Sequence, residues 1–175
     1  MLSIIIPTRD SERSLVHTLA ALVPGATAGL VREVIVADGE SGDETEQVAD
    51  VAGCMFVSSG APLGARLKAA AEGARGEWLM FLRPGIVPAS TWIDELHALV
   101  RQGAARPAVF SSARRGLVSR LFKRLPHPDQ GLVLPKSLYA ERGGHRSDVR
   151  EPETDLLRRI GRSRITVLRT TIVDI

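Results

Sequence analysis

The sequence predicts an α/β fold with a mostly parallel central sheet and helices on both of its faces. Three observations carry that expectation. β-Branched or strongly apolar runs recur at Ser3–Pro7, Glu33–Ala37 and Trp78–Leu82, the pattern of strands buried on both sides. Helical periodicity fills the intervals, with Leu15, Leu19 and Leu22 the clearest stripe. Turn-forming residues follow the strands, as in Asp38-Gly39-Glu40-Ser41-Gly42-Asp43 and Arg83-Pro84-Gly85. Strands alternating with helices imply right-handed crossovers, which bring the strand C-termini to one edge. Ligands bind at that edge in open α/β sheets.

The elements follow in order. Ser3–Pro7 is a strand stopped by proline, and Ser11–Leu22 is a helix with Asp10 or Ser11 placed to cap it. Glu33–Ala37 is the second strand, a helix runs to about Ala52, and Cys54–Ser58 is the third strand. Gly60–Gly64 forms a loop before the alanine-rich helix Ala65–Ala74. Trp78–Leu82 is the most apolar strand and should lie centrally. Arg83-Pro84-Gly85 breaks it, because proline has no amide hydrogen for a ladder. Thr91 and Asp94 have the spacing of a capping box for a helix ending near Gly103, and Pro107–Ser111 is a further strand. Arg114–Leu125 reads as a basic amphipathic helix, Gly131–Leu134 as a strand, Lys136–Arg142 and Glu153–Arg162 as helices, and Ile165–Leu168 as the last strand.

Composition narrows the function classes. The chain has 175 residues, 44% hydrophobic and 25% charged, which suits one domain and excludes wholesale disorder. Its single cysteine, Cys54, allows neither an internal disulfide nor a cysteine-based metal cage. No apolar run is long enough for a transmembrane helix, and the start lacks the basic lead of a signal peptide. A soluble cytoplasmic protein is expected. Charge is unevenly spread: residues 1–100 carry 7 Lys/Arg against 13 Asp/Glu, and residues 101–175 carry 16 against 7. The basic half either faces something anionic or is a set of solvated arginines. The helix at 114–125 can lie on an anionic membrane surface, which would make the protein peripheral on the inner membrane, or pack its apolar stripe on the sheet. Packing is the commoner outcome. Only 4% of residues are aromatic, which argues against a nucleic-acid partner.

Common catalytic motifs are missing. No glycine-rich loop ends in Gly-Lys-Ser/Thr, and Ser41 fits a turn better than a nucleophile elbow. His17, His97, His127 and His145 lack metal-ligand spacing. The informative residues are acids just past strand ends. Asp38 can accept hydrogen bonds from a nucleotide base or ribose, or stabilise its turn, whereas Asp43 reads as a helix cap.

An ordered series of short matches resembles glycosyltransferase family 2, in particular a small bacterial branch. It comprises Ile4-Ile5-Ile6-Pro7-Thr8, the segment Val34–Thr45, Ala74-Arg75-Gly76-Glu77 before the central strand, Asp129-Gln130-Gly131, Gly143-Gly144 and Glu153–Arg159. The resemblance implies a Rossmann-like nucleotide-diphospho-sugar transferase fold that moves a sugar from a nucleotide-sugar donor to an acceptor. One domain over residues 1–175 would comprise a nucleotide-binding half (1–103) and a basic acceptor-side half (104–175). By position, Pro7 and Thr8 would border the base, Asp38 would contact it, and Lys68, Asp129 and Gln130 would line the substrate site. Glu153 aligns with the general base of inverting members, a role a carboxylate can fill; it also suits the first turn of a helix.

The departures bear on cofactors. Family members carry Asp-x-Asp after the central strand to hold Mg²⁺ or Mn²⁺; here Arg83-Pro84-Gly85 offers no carboxylate, and a hard cation needs oxygen ligands. No metal is therefore expected. Arg83 can pair with a diphosphate directly. The alternative is a catalytically silent domain that binds a nucleotide-sugar or a protein partner. Gly39 replaces the second acid of the family's Asp-Asp pair, and Lys68 stands where many members have Asn.

Overall fold

The computed structural model describes residues 1–101, 106–112 and 125–175. Its strands are β1 (Leu2–Thr8), β2 (Val31–Asp38), β3 (Met55–Ser58), β4 (Trp78–Phe81), β5 (Ile86–Pro88), β6 (Ala108–Ser112), β7 (Leu132–Pro135) and β8 (Thr166–Asp174). They form one sheet in the order β3-β2-β1-β4-β7-β6-β8-β5. Parallel pairs join β1 to β2 and β4, β2 to β3, and β6 to β8. Antiparallel pairs join β4 to β7, β7 to β6, and β5 to β8. The basic segment expected to be a helix at 114–125 lies, apart from Leu125, outside the described residues.

The helices are α1 (Glu12–Thr27), α2 (Thr45–Val51), α3 (Leu63–Gly73), α4 (Trp92–Arg101), α5 (Lys136–Glu141) and α6 (Pro152–Ile160). They cover both faces, which explains why β1 and β4 are apolar at successive positions rather than at alternate ones. Ile4, Ile6, Met80 and Leu82 pack with Leu15, Leu19 and Leu22 of α1 and with Trp92 of α4. Ile5, Leu79 and Phe81 point the other way, toward Leu67 and Ala71 of α3, Tyr139 of α5, and Leu156 and Leu157 of α6. The strand read as central does lie between β1 and β7, and all four of its residues are buried.

Differences from the sequence reading have local causes. α1 continues through Pro24, and Ser11 at its N-cap makes no side-chain capping bond. Instead Asp43, from the loop before α2, accepts from the Glu12 amide at 3.0 Å. Thr91 does not close a capping box: its hydroxyl lies 3.0 Å from that of Thr170, and Glu95 accepts from the backbone amides of Arg169 and Thr170. The Arg83-Pro84-Gly85 break leads at once into β5, and the last strand is nine residues long because β5 and β6 both pair with it. Gly85 adopts φ +88°, a conformation that favours glycine. Its amide donates to Thr18 Oγ1 of α1 at 2.9 Å. Among the described residues no helix is long and apolar enough to cross a membrane.

His145 is buried between Phe81 and Tyr139 and shares a 2.9 Å hydrogen bond with the Tyr139 hydroxyl. Burial, with the nearby charge of Arg159, pushes its pKa down to about 3. The folded protein therefore keeps His145 neutral where the unfolded chain, with a histidine pKa of about 6.5, takes up a proton. Stability should fall by about 2 kcal/mol between pH 7 and pH 5 from this residue. Urea unfolding across that range should show the slope, and His145→Gln should flatten it. An equal slope in both proteins would contradict the assignment.

Candidate active site at the carboxyl edge of the sheet

The C-terminal ends of β1, β2 and β4 lie side by side because these strands are parallel neighbours. At the β1–β2 end, Thr8 pairs in register with Asp38. Asp38 is 1% exposed. Its Oδ1 accepts from Thr8 Oγ1 at 2.8 Å and from Ser41 Oγ, and its Oδ2 accepts from Ser41 N at 2.9 Å and Ser58 Oγ at 3.0 Å. Burial alone would raise its pKa, but the bonds from Ser41, Thr8 and Ser58 outweigh it and hold the carboxyl below the usual carboxylate range. The carboxylate thus spends its acceptors on ordering the turn from Gly39 to Ser41. Pro7, beside Ala37 in the ladder, is half-buried at the same edge.

The two loops leaving this edge are tied together. Asp10 Oδ1 accepts from Gly42 N at 2.7 Å, and the Asp10 amide donates to Ser41 Oγ at 2.9 Å. Asp10 and Glu40 both have positive φ, +47° and +61°. Such backbone is uncommon outside glycine, and at Asp10 the cross-loop bonds hold it in place.

Arg66, which the sequence reading did not select, reaches the same edge from α3. Its Nη1 donates to the carbonyls of Ala37 and Thr8, and its Nε donates to Ala61 O. Gly39 makes room for it: a Cβ at that position would stand 3.0 Å from the guanidinium carbon. Gly39 is thus the complement of Arg66, a pairing that becomes visible only once α3 is laid against β2. Lys68, two residues on, is exposed. It lines a separate cavity of about 320 Å³ with Glu72, His145, Arg146 and Asp148.

The end of β4 carries an ion cluster. Arg83 binds both carboxylate oxygens of Glu153, through Nε at 3.2 and 3.1 Å and through Nη2, and its Nη1 binds Asp129 Oδ1 at 2.8 Å. Asp129 Oδ2 in turn lies 2.9 Å from His127 Nδ1. The Glu153 side chain is 12% exposed, while Arg83 and Asp129 keep 38% and 44%. Gln130 faces inward: its Nε2 donates to Phe110 O at 2.8 Å, and its Oε1 accepts from the His127 amide at 3.0 Å. It braces the 3-10 turn Pro128–Gln130 that presents Asp129. Arg83, Asp129 and Glu153 are therefore brought together; Pro7, Thr8 and Asp38 form a second group at the same edge; Lys68 joins neither. A larger cavity of about 600 Å³ between α1, α2 and β2 is lined mainly by apolar side chains such as Val16, Val23 and Val48, and holds none of these groups.

The fold is that of a nucleotide-diphospho-sugar transferase. The profile of "Glycosyl transferase family 2" matches residues 3–162, and the chain belongs to that family. Solved structures agree on the fold. Glucosyl-3-phosphoglycerate synthase from Mycobacterium tuberculosis, in complex with Mn²⁺, UDP and glucosyl-3-phosphoglycerate, aligns with TM-score 0.75 and 18% identity, covering 100% of this chain and 72% of that one. The same enzyme is also solved with Mg²⁺ and UDP. TarS from S. aureus, residues 1–349 in complex with UDP, aligns with TM-score 0.75 and 19% identity, covering 97% of this chain and 59% of that one. No curated protein matches the chain by sequence.

The hydrogen-bond set around Asp38 makes a direct prediction. Asp38→Asn replaces a buried carboxylate that accepts four hydrogen bonds by a neutral amide with one acceptor oxygen, so it should destabilise the fold by about 1–3 kcal/mol. Chemical denaturation checks this, and an unchanged unfolding midpoint would count against the geometry.

Proposed function

We propose that the chain transfers a sugar from a nucleotide-sugar donor, with the nucleotide lying across the carboxyl edge of β1, β2 and β4. One observation carries this reading: Arg83, at the end of the central strand, meets Glu153 and Asp129 from distant parts of the chain at the edge where the fold binds ligands. The base would rest over Pro7, Thr8 and the turn ordered by Asp38. Residues 1–103 would hold the nucleotide, and the basic half, 104–175, would face the acceptor.

The related structures hold Mn²⁺ or Mg²⁺ with UDP. The donor set in this chain does not fit such an ion. The Arg83-Pro84-Gly85 segment after β4 supplies a guanidinium and no carboxylate of its own, and Asp129 and Glu153 both pair with that guanidinium. A hard divalent cation placed there would meet a fixed positive charge in place of oxygen ligands. In our reading Arg83 carries the diphosphate charge itself, since its planar fork binds phosphate bidentately.

The ion cluster then couples binding to chemistry. Diphosphate oxygens compete with Glu153 for the Arg83 guanidinium. Once released, the Glu153 carboxylate accepts the proton of an acceptor hydroxyl as that oxygen bonds to the anomeric carbon. The bond from that carbon to the diphosphate oxygen breaks, and its electron pair leaves with the nucleoside diphosphate, held by Arg83. The second reading, a silent nucleotide-sugar-binding domain, draws on the same contacts: Glu153 is ion-paired, and turnover requires that pair to open.

Calorimetry with a panel of nucleoside diphosphates, with and without Mn²⁺, separates these readings. Binding should occur without metal, and Arg83→Ala should weaken it about 10- to 100-fold. Glu153→Gln should keep binding and lower transfer by a factor of roughly 10² to 10⁴. Binding that vanishes on chelation would overturn the metal-free reading. Binding by the wild-type chain with no turnover of any donor would establish the silent domain.

A further inference from the structure

A second cationic site lies on the opposite edge of the sheet. β6 runs antiparallel to β7, and β7 antiparallel to β4; Ala108 and Met80 both pair with Val133, so Arg106, two residues before Ala108, lies at the level of Trp78 where β4 begins, away from Arg83. At that end Arg106, Arg142 and Arg164 line a pocket of about 270 Å³, with Ser163 adding a hydroxyl and Leu138 and Ile160 an apolar wall.

The pocket's charge is one-sided: among the described residues three arginines line it and no acidic residue does. Arg142 is 22% exposed, yet its contacts are long. Its Nη2 lies 3.5 Å from Glu141, which is itself 66% exposed, and its Nη1 lies 3.5 Å from the Arg159 carbonyl. Its Nε is buried and has no partner among the described residues. A neighbouring arginine shows the contrast. Arg159 is fully engaged, by Asp155 and by the carbonyls of Arg142 and Gly144. A cation withdrawn from water without a close counter-charge is costly unless an anion completes it.

The chemistry of the lining selects the anion. Each guanidinium presents a planar fork of donors that matches phosphate geometry, and a hydroxyl can add another hydrogen bond. The volume lies just below the range of ordinary small-molecule sites, enough for a phosphate with a small substituent and too small for a whole nucleotide-sugar. We propose that this pocket binds a phosphate group, either on a small phosphomonoester or on the headgroup of an anionic lipid, independently of the donor cleft.

The probes are inorganic phosphate, glycerol phosphate, and vesicles of phosphatidylglycerol in phosphatidylcholine. Arg106 and Arg164 are exposed, so Arg106→Gln/Arg164→Gln should leave the fold and nucleotide binding intact. Phosphate titration should shift the arginine side-chain NMR signals saturably, and the double variant should bind about tenfold more weakly or worse. Arg83→Ala should leave this binding unchanged. Sedimentation with the anionic vesicles, competed by free phosphate and lost in the double variant, identifies a headgroup. Phosphate binding without sedimentation identifies a soluble phosphomonoester. The proposal is overturned if none of the probes binds at low salt, if binding survives in the double variant, or if it disappears in Arg83→Ala instead.

Discussion

Arg83 stands two residues past the end of the central strand, and its guanidinium holds two carboxylates that arrive from residues 129 and 153. Those acids belong to the later half of the chain, so this contact fastens the α6 N-terminus and the turn at Pro128–Gln130 to the end of β4. The position of Arg83 is itself determined from below. Thr18, wholly buried in α1, accepts from the Gly85 amide and donates to the Ile86 carbonyl, and so clamps the turn that carries the arginine. A charge held this way, partly shielded from water, interacts more strongly with a ligand than a mobile surface arginine does.

The two groups at the edge differ in how free they are to act. Around Asp38 every acceptor is occupied by the protein's own hydroxyls and amides, which makes a stiff floor. Around Arg83 the partners are charged, more exposed and exchangeable: an incoming anion can replace a carboxylate at modest net cost, because one charge-assisted bond substitutes for another. In the proposed reaction the floor would position the nucleotide and the ion cluster would respond to it. Arg66, beneath the floor, ties α3 to the ends of β1 and β2 and adds positive charge to an edge suited to an anionic ligand.

Much of this was legible in the sequence, for physical reasons. β1, β2 and β4 are buried on both faces, so their apolar runs are nearly unbroken and announce themselves. β5 was not legible, because its three residues are defined only by pairing with β8, far along the chain. The extent of β8 was understated since its burial alternates along an incompletely covered stretch. Within the site, the resemblance to the family singled out Asp38, Arg83, Asp129 and Glu153, but not that Arg83 and Glu153 would grip one another. Ser41 was readable as a turn residue but not as a partner of Asp38, and Ser58 and Arg66 carried no signal of their own. Each matters through convergence of separate loops and helices on one carboxylate or one pair of carbonyls. Gly39 was readable only as the loss of an acid, whereas in the fold it is the space that Arg66 fills.

The central claim is that one guanidinium exchanges a carboxylate for a diphosphate. A crystal structure with a bound nucleoside diphosphate, grown with a chelator present, addresses it directly. The account predicts Arg83 at hydrogen-bonding distance from phosphate oxygens, with the Glu153 carboxylate released toward the cleft. Arg83 still clasping Glu153, with the nucleotide elsewhere, would contradict it.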